Sequence, residues 1–326
     1  MKAVQFSKYG GSEVLELVDI AKPTPSPGQV LVKVEYAGVN FVDTYVRTGL
    51  YPVPHFPMTS GREACGTIEE IGSAVPAAYG LAVGERIAVF ASCAFAEYLV
   101  CDAATVLKLP SDMSARDGAA LVLQGLTAWT LVRDAHEVKA GETVLVRAAA
   151  GGTGGLVVQM CKALGATVIG ITSTPEKVKL AEEYGCDHVL SYREVADVDA
   201  AVLALTDGLG CHAVLSSVGK DTLASDLKLT RRKGTFVTFG NSSGPIESVR
   251  PLDLSKKNIK LVRPTLANYI TTREEFEMRS NELLDLVAKG HLKLTIGAEY
   301  SLAEVGKAQD DLTSGKTMGK LVIKVQ

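Results

Sequence analysis

Thr143 to Leu156 reads TVLVRAAAGGTGGL, and the order of residue types in that stretch carries chemistry. A β-branched run enters a glycine cluster. The cluster opens into an apolar-periodic segment with Leu156, Val157, Met160, Cys161 and Leu164. This is the pattern of a strand, a tight turn and a helix. The glycines let the backbone approach an anion closely, and the first N–H groups of the helix have no partners inside it. The chemistry on offer is pyrophosphate binding through Ala150, Gly151, Gly152, Thr153 and Gly154. Against G-x-G-x-x-G the register is Ala149, Gly151, Gly154, so alanine takes the first place. The strand before and the helix after favour dinucleotide binding over an ordinary strand-to-helix turn.

The next strand selects the dinucleotide. Thr167 to Ile171 reads TVIGI and runs into Thr172, Ser173 and Thr174, with Lys177 beyond. A free ribose 2′-OH is usually met there by Asp or Glu, about 20 residues past the glycines. A carboxylate would repel a 2′-phosphate, whereas hydroxyls and an ammonium hold it. NADPH is therefore expected over NADH. One or two charge-assisted hydrogen bonds at roughly 1.5–3 kcal/mol each give a preference of at least about tenfold. Lys177 alone also reads as a solvated helix lysine; the missing acid carries more of the argument. Tyr192 ends the third strand and would enclose the adenine and 2′-phosphate with Ser173 and Lys177. The alternative is a half-buried strand-end tyrosine. Phe239, Gly240, Asn241 and Ser242 follow the fifth strand, where ligands of open α/β sheets bind, so their backbone groups are candidates for the nicotinamide end.

The elements that must position these residues fall into two sets. Up to about residue 120 the chain is rich in short strands and turns. Lys2–Phe6 and Leu15–Asp19 alternate like a hairpin, KPTPSPG precedes a strand over Gln29–Tyr36, and Gly61–Ile71 and Arg86–Phe90 continue the pattern. A helix is expected over Gly125–Arg133. Strands at Thr143–Arg147, Thr167–Ile171, His188–Ser191, Ala213–Ser217 and Thr235–Phe239 then alternate with helical patterns, which means crossovers in a parallel sheet. Ile259–Val262 is a candidate last strand. The tail reads as helices over Arg273–Lys289 and Ala303–Thr313 and a closing strand over Lys320–Val325. The expected fold is α/β: a β-barrel-like domain over 1–124, completed by 266–326, and a doubly wound parallel-sheet domain over 125–265.

Composition bounds the function classes. The chain has 326 residues and a formal net charge of −3, with no field suited to nucleic acid or an anionic membrane. No apolar run is long enough to cross a bilayer, and the N-terminus lacks a secretory core, so a cytoplasmic location is expected. The six cysteines are scattered, without C-x-x-C spacing, and neither a disulfide framework nor a structural zinc site is expected. The five histidines have no credible nucleophile beside them, and there is no G-x-S-x-G elbow.

VNFVDTYVRTGLYP (Val39–Pro52), LQGLTAW (Leu123–Trp129), AAAGGTGG (Ala148–Gly155) and FGNSSG (Phe239–Gly244) resemble the zinc-independent quinone oxidoreductase branch of the medium-chain dehydrogenase/reductase superfamily, the relatives of ζ-crystallin. The resemblance covers essentially the whole chain and implies a GroES-like catalytic domain beside a Rossmann domain. Zinc alcohol dehydrogenases of the superfamily carry cysteine in the early loop and a Gly-His-Glu segment after it. Here those places hold Asn40 and Gly61-Arg62-Glu63, so no catalytic metal is expected. The resemblance implies NADPH-dependent reduction of a quinone in the cleft between domains. It places the Asn40–Tyr51 loop over the nicotinamide, with Asn40 and Tyr45 as hydrogen-bond donors to the acceptor oxygen. Tyr51 would serve as a wall for a flat ring or as a proton donor. Asn40 also reads as a turn-stabilising residue, and Asp43 and Arg47 as an internal ion pair. Thr127 is at a position where relatives touch the cofactor, though a helix threonine commonly bonds its own backbone. Lys316 in SGKTMGK is a further candidate for the 2′-phosphate, against the commoner reading of an exposed lysine. Relatives pair through an edge strand, here near Ser248–Leu261, which implies a homodimer. Two other functions remain open: an NADPH-dependent enone or alkenal reductase, and a ζ-crystallin-like protein that holds NADPH in a structural or RNA-binding role.

Overall fold

The computed structural model describes all residues from Met1 to Gln326. The chain divides into two compact units. The first comprises 1–124, 272–280 and 294–326, and the second 125–271 and 281–293. The return segment expected over 266–326 is thus shared between them.

In chain order the elements of the first part are β1 (Lys2–Phe6), β2 (Glu16–Asp19), β3 (Gln29–Val39), α1 (Phe41–Arg47), β4 (Met58–Thr59), β5 (Glu63–Ile71), β6 (Arg86–Phe90), β7 (Tyr98–Asp102), β8 (Val106–Lys108) and α2 (Ala115–Thr130). The second part contains β9 (Thr143–Arg147), α3 (Gly152–Ala163), β10 (Thr167–Thr172), α4 (Pro175–Glu183), β11 (His188–Ser191), α5 (Val198–Ala204), β12 (Cys211–Ser216), α6 (Leu223–Leu229), β13 (Thr230–Thr238), α7 (Pro251–Ser255) and β14 (Lys260–Val262). The chain closes with α8 (Leu266–Tyr269), α9 (Arg273–Ala288), β15 (Ile296–Ser301), α10 (Val305–Thr313) and β16 (Lys320–Lys324).

The first unit is built on a seven-stranded sheet ordered β15-β16-β3-β5-β6-β8, with β7 also paired to β3. Strand β3 is long enough to pair its first half with β7 and its second half with β16, while β5 runs along its other side. Its interior is apolar, with Val30, Val32, Ile68, Ile87, Phe95, Leu99 and Leu321 buried together. A small sheet, β2-β1-β4, completes the unit. The second unit is a six-stranded sheet ordered β11-β10-β9-β12-β13-β14, and every pairing in it is parallel. Counted from β9 the order is 3-2-1-4-5-6. The direction of winding therefore reverses between β9 and β12, where ligands of such sheets bind beyond the carboxyl ends of the strands.

Two expectations about helices change. Val39–Pro52 is not all loop: its centre is α1, with Asn40 as N-cap. Helix α2 begins ten residues before the expected start at Gly125. Ser114 caps it, accepting from the Asp117 N–H at 3.1 Å and donating to the Asp117 carboxylate at 2.7 Å. Gly118 hides this helix in the sequence. The structure needs glycine there because a Cβ would come within 2.4 Å of Leu109 and 2.9 Å of the Cys65 sulfur.

Candidate active site

The glycine turn follows directly from the end of β9. Ala148 turns the chain with φ of 53°, in the left-handed region, and its carbonyl accepts from the Gly151 N–H at 2.9 Å. The left-handed position is therefore Ala148. Ala149, which occupies the first-glycine register, is fully buried. Gly151 is the N-cap of α3 and provides no side-chain cap, and no acidic residue lies in the first turn. A Cβ on Gly154 would be 2.2 Å from the Ala148 oxygen, so glycine alone fits that close approach. A helix start without a side-chain cap, with glycine required at Gly154 in its first turn, fits a dinucleotide pyrophosphate.

The other candidates of the second unit follow the same ends of the parallel strands. Ser173 comes after β10 and is buried, and its carbonyl accepts from the Ser191 hydroxyl at 3.2 Å. The Thr174 hydroxyl caps α4, accepting from the Lys177 N–H at 3.4 Å. Lys177 is half-buried, and burial, then the neighbouring Arg193, lowers the affinity of its ammonium for a proton. Arg193 is a cation that sequence reasoning missed; its only sequence signal was its place beside Tyr192. Tyr192 itself is exposed at the end of β11. Phe239 to Ser242 follow β13 and are held against the end of β12. The Phe239 N–H donates to the Ser216 carbonyl at 2.9 Å and the Ser242 N–H to that of Ser217 at 3.2 Å. Gly240 allows this, because a Cβ there would be 2.5 Å from the Ser217 oxygen. Thr127 is half-buried on α2. Lys316 belongs to the first unit and is exposed between α10 and β16.

In the first unit, Asn40 is the hub of a buried polar cluster. The Lys320 ammonium donates to the Asn40 side-chain oxygen at 2.8 Å, and Gln124 Nε2 donates to the same atom at 3.0 Å. Asn40 Nδ2 donates to Glu63 at 2.7 Å and makes a longer contact of 3.3 Å to the Gly38 carbonyl. Glu63 pairs directly with Lys320, and its second oxygen accepts from the Leu123 N–H at 2.7 Å. Glu63 is 0% and Lys320 3% exposed, so both charges depend on these partners. Sequence reasoning missed Lys320, Glu63 and Gln124 as parts of one site; they are far apart in the chain, and no local pattern joins them.

Asp43 and Arg47 do not form the expected ion pair. Asp43 stands at the third position of α1 and accepts from the Asn40 N–H at 2.7 Å, completing a reciprocal cap. Arg47, one turn further on, donates instead to Gln309 of α10 at 2.8 Å. Burial pushes the Asp43 carboxyl up to about 7, against the lowering by the Asn40 N–H and by Lys320. Its Oδ1 is buried with no hydrogen-bond partner. Beyond Asp43, Tyr45 and Tyr51 meet edge to face at 5.5 Å between ring centres, and Phe41 lies 6.3 Å from Tyr45. Helix α1 and the turn after it thus carry a cluster of aromatic rings, and the N-cap of that helix is an amide with fixed donors and acceptors. No group of three or more His, Cys, Asp or Glu side chains is placed to hold a metal ion.

A GroES-like unit with a buried polar cluster, joined to a parallel sheet with a nucleotide-type glycine turn, defines a medium-chain dehydrogenase/reductase. Residues 26–111 match the alcohol dehydrogenase GroES-like domain family and residues 152–288 the zinc-binding dehydrogenase family. A quinone oxidoreductase of Pseudomonas aeruginosa is 39% identical over 99% of both chains, and quinone oxidoreductase 1 of Escherichia coli is 37% identical over 98% of both. The crystal structure of the Escherichia coli quinone oxidoreductase complexed with NADPH superimposes with a TM-score of 0.95 at 36% identity, covering 100% of each chain. A mycobacterial protein complexed with NADPH gives 0.97 at 39% identity, again over 100% of each. The chain belongs to the quinone oxidoreductase family of the medium-chain dehydrogenase/reductase superfamily.

Proposed function

We propose that this protein is an NADPH-dependent quinone oxidoreductase working without a metal. The observation that carries the cofactor choice is the end of β10, where Thr172, Ser173 and Thr174 stand in place of an acid and Arg193 neighbours Lys177. Such a site attracts a 2′-phosphate and offers nothing to a bare 2′-OH. The acceptor class is supported by the quinone oxidoreductases of Pseudomonas aeruginosa and Escherichia coli, and the cofactor by the NADPH complexes of the matching structures.

In this reading Gly151 to Gly154 and the start of α3 bind the pyrophosphate, and Tyr192 covers the adenosine. Backbone groups of Phe239 to Ser242, with Thr127, position the nicotinamide end. NADPH supplies a hydride to the quinone when bound. The protein's part is orientation and charge. Tyr45 and Tyr51 stack or edge against the flat acceptor, and Asn40 turns its weakly engaged N–H toward the oxygen that becomes anionic. Water supplies the proton that completes the hydroquinone. Lys316 is a further phosphate contact. The proposed location is the cytoplasm, and the proposed assembly is a homodimer through β14. That strand is the sheet's edge, and Leu252 of the adjoining α7 is 76% exposed.

NADPH oxidation by purified protein, measured over a panel of quinones and enones, tests the reading. The expected result is turnover of quinones with at least about a tenfold preference for NADPH in kcat/KM. Equal values for NADH and NADPH sink the cofactor assignment, and faster turnover of enones than of quinones sinks the acceptor assignment.

A further inference from the structure

The Asn40 amide could take either of two orientations, and two buried charges decide between them. An ammonium only donates hydrogen bonds, and an ionised carboxylate only accepts them. Lys320 faces one end of the amide at 2.8 Å and Glu63 the other at 2.7 Å. Gln124 adds a second donor at the Lys320 end. Turning the amide over would set its NH2 against two donors and its oxygen against a carboxylate. The observed orientation is the only one that satisfies all four groups.

The consequence is chemical. Glu63 holds one of the two amide protons. The other makes only the 3.3 Å contact to the Gly38 carbonyl, near the outer limit for a hydrogen bond. It is the proton that Asn40 can give to another oxygen at least cost. The ammonium on Oδ1 also draws electron density from the amide and strengthens its N–H as a donor. A buried ion pair is a poor source of stability compared with apolar packing, so its value here is orientation.

We propose that Lys320, held by Glu63, is a positioning residue for quinone reduction: it fixes and polarises the Asn40 amide so that one N–H is presented to the acceptor oxygen. This rests on the reading that Asn40 meets the acceptor. A merely structural lysine would act on the fold and not through Asn40.

A double-mutant cycle separates these roles. Asn40→Ala, Lys320→Met and the double variant are assayed for kcat/KM with a quinone at saturating NADPH, alongside NADPH affinity by fluorescence quenching. The expected result is a loss of about tenfold for each single variant, with NADPH affinity unchanged. In the Asn40→Ala background, Lys320→Met should cost less than about twofold, because its target is already gone. A full additional loss in that background overturns the proposal while leaving the role of Asn40 intact. An Asn40→Ala variant as active as the parent overturns both. If Lys320→Met does not fold, Glu63→Gln/Lys320→Met removes both charges, leaves no lone buried ion, and is read in the same cycle.

Discussion

Asp43 holds its proton to higher pH in the folded protein than in the unfolded chain. Burial raises its carboxyl from 3.8 to about 7, and only one of its oxygens is bonded. An acid raised on folding contributes stability below its unfolded value and loses it as the pH climbs through the folded one. The Asp43 contribution is therefore full below about pH 4 and gone above about pH 7. Asp43→Asn keeps an acceptor for the Asn40 N–H and removes the titration. Thermal melts should show the parent losing stability relative to this variant between about pH 4 and pH 7; parallel curves there would refute the assignment. Lys177 belongs to the same scale. Lys177→Ala should raise KM for NADPH about tenfold and leave KM for NADH unchanged, since only the former has a phosphate there to lose. Steady-state kinetics with both cofactors checks this. At Asn40 the residue type was legible as both cap and donor. Its orientation was not, because that depends on side chains reaching it from β5, α2 and β16.

At the scale of elements, the glycine turn shows how a motif can be read correctly in kind and shifted in detail. The strand over Thr143–Arg147 has the residues expected of it, and the helix after it follows from the apolar period. The conformational strain falls on Ala148, one residue before the register position that lacks its glycine. Ala148→Gly removes a left-handed alanine and should stabilise the protein by roughly 1 kcal/mol. A rise in Tm of about 2–4 °C would show it. Gly154→Ala has the opposite character: its methyl group meets the Ala148 oxygen at 2.2 Å, and backbone must move. Calorimetric titration should show NADPH affinity falling by at least about tenfold, together with a lower Tm. The strands over Arg86–Phe90 and His188–Ser191 also have the bounds expected from sequence, because alternation and flanking breakers act locally. The start of α2 was obscured because Gly118 serves packing against Leu109 and Cys65, a contact across the fold.

The whole molecule depends on the chain's return. Strand β16 pairs in parallel with β15 and antiparallel with β3, and brings Lys320 to Glu63. A chain ending at Gly319 would leave the Glu63 carboxylate buried without its ammonium, at a cost of about 3–5 kcal/mol, and would open one side of β3. Soluble yield and near-ultraviolet circular dichroism should both collapse in that truncation.

The sequence by itself determined the α/β architecture, the strand–turn–helix that can receive a pyrophosphate, and the hydroxyls that stand in place of an acid at the end of β10. Each is written in neighbouring residues, through alternation, glycine placement and charge. Only the tertiary structure decided that Asp43 faces Asn40 instead of Arg47, that Arg193 approaches Lys177, and that a lysine six residues from the end meets an asparagine at position 40. Those relations depend on burial and on strand pairing between distant segments. Removing water from a carboxylate, an ammonium and an amide forces each to find its complement, whatever their separation along the chain.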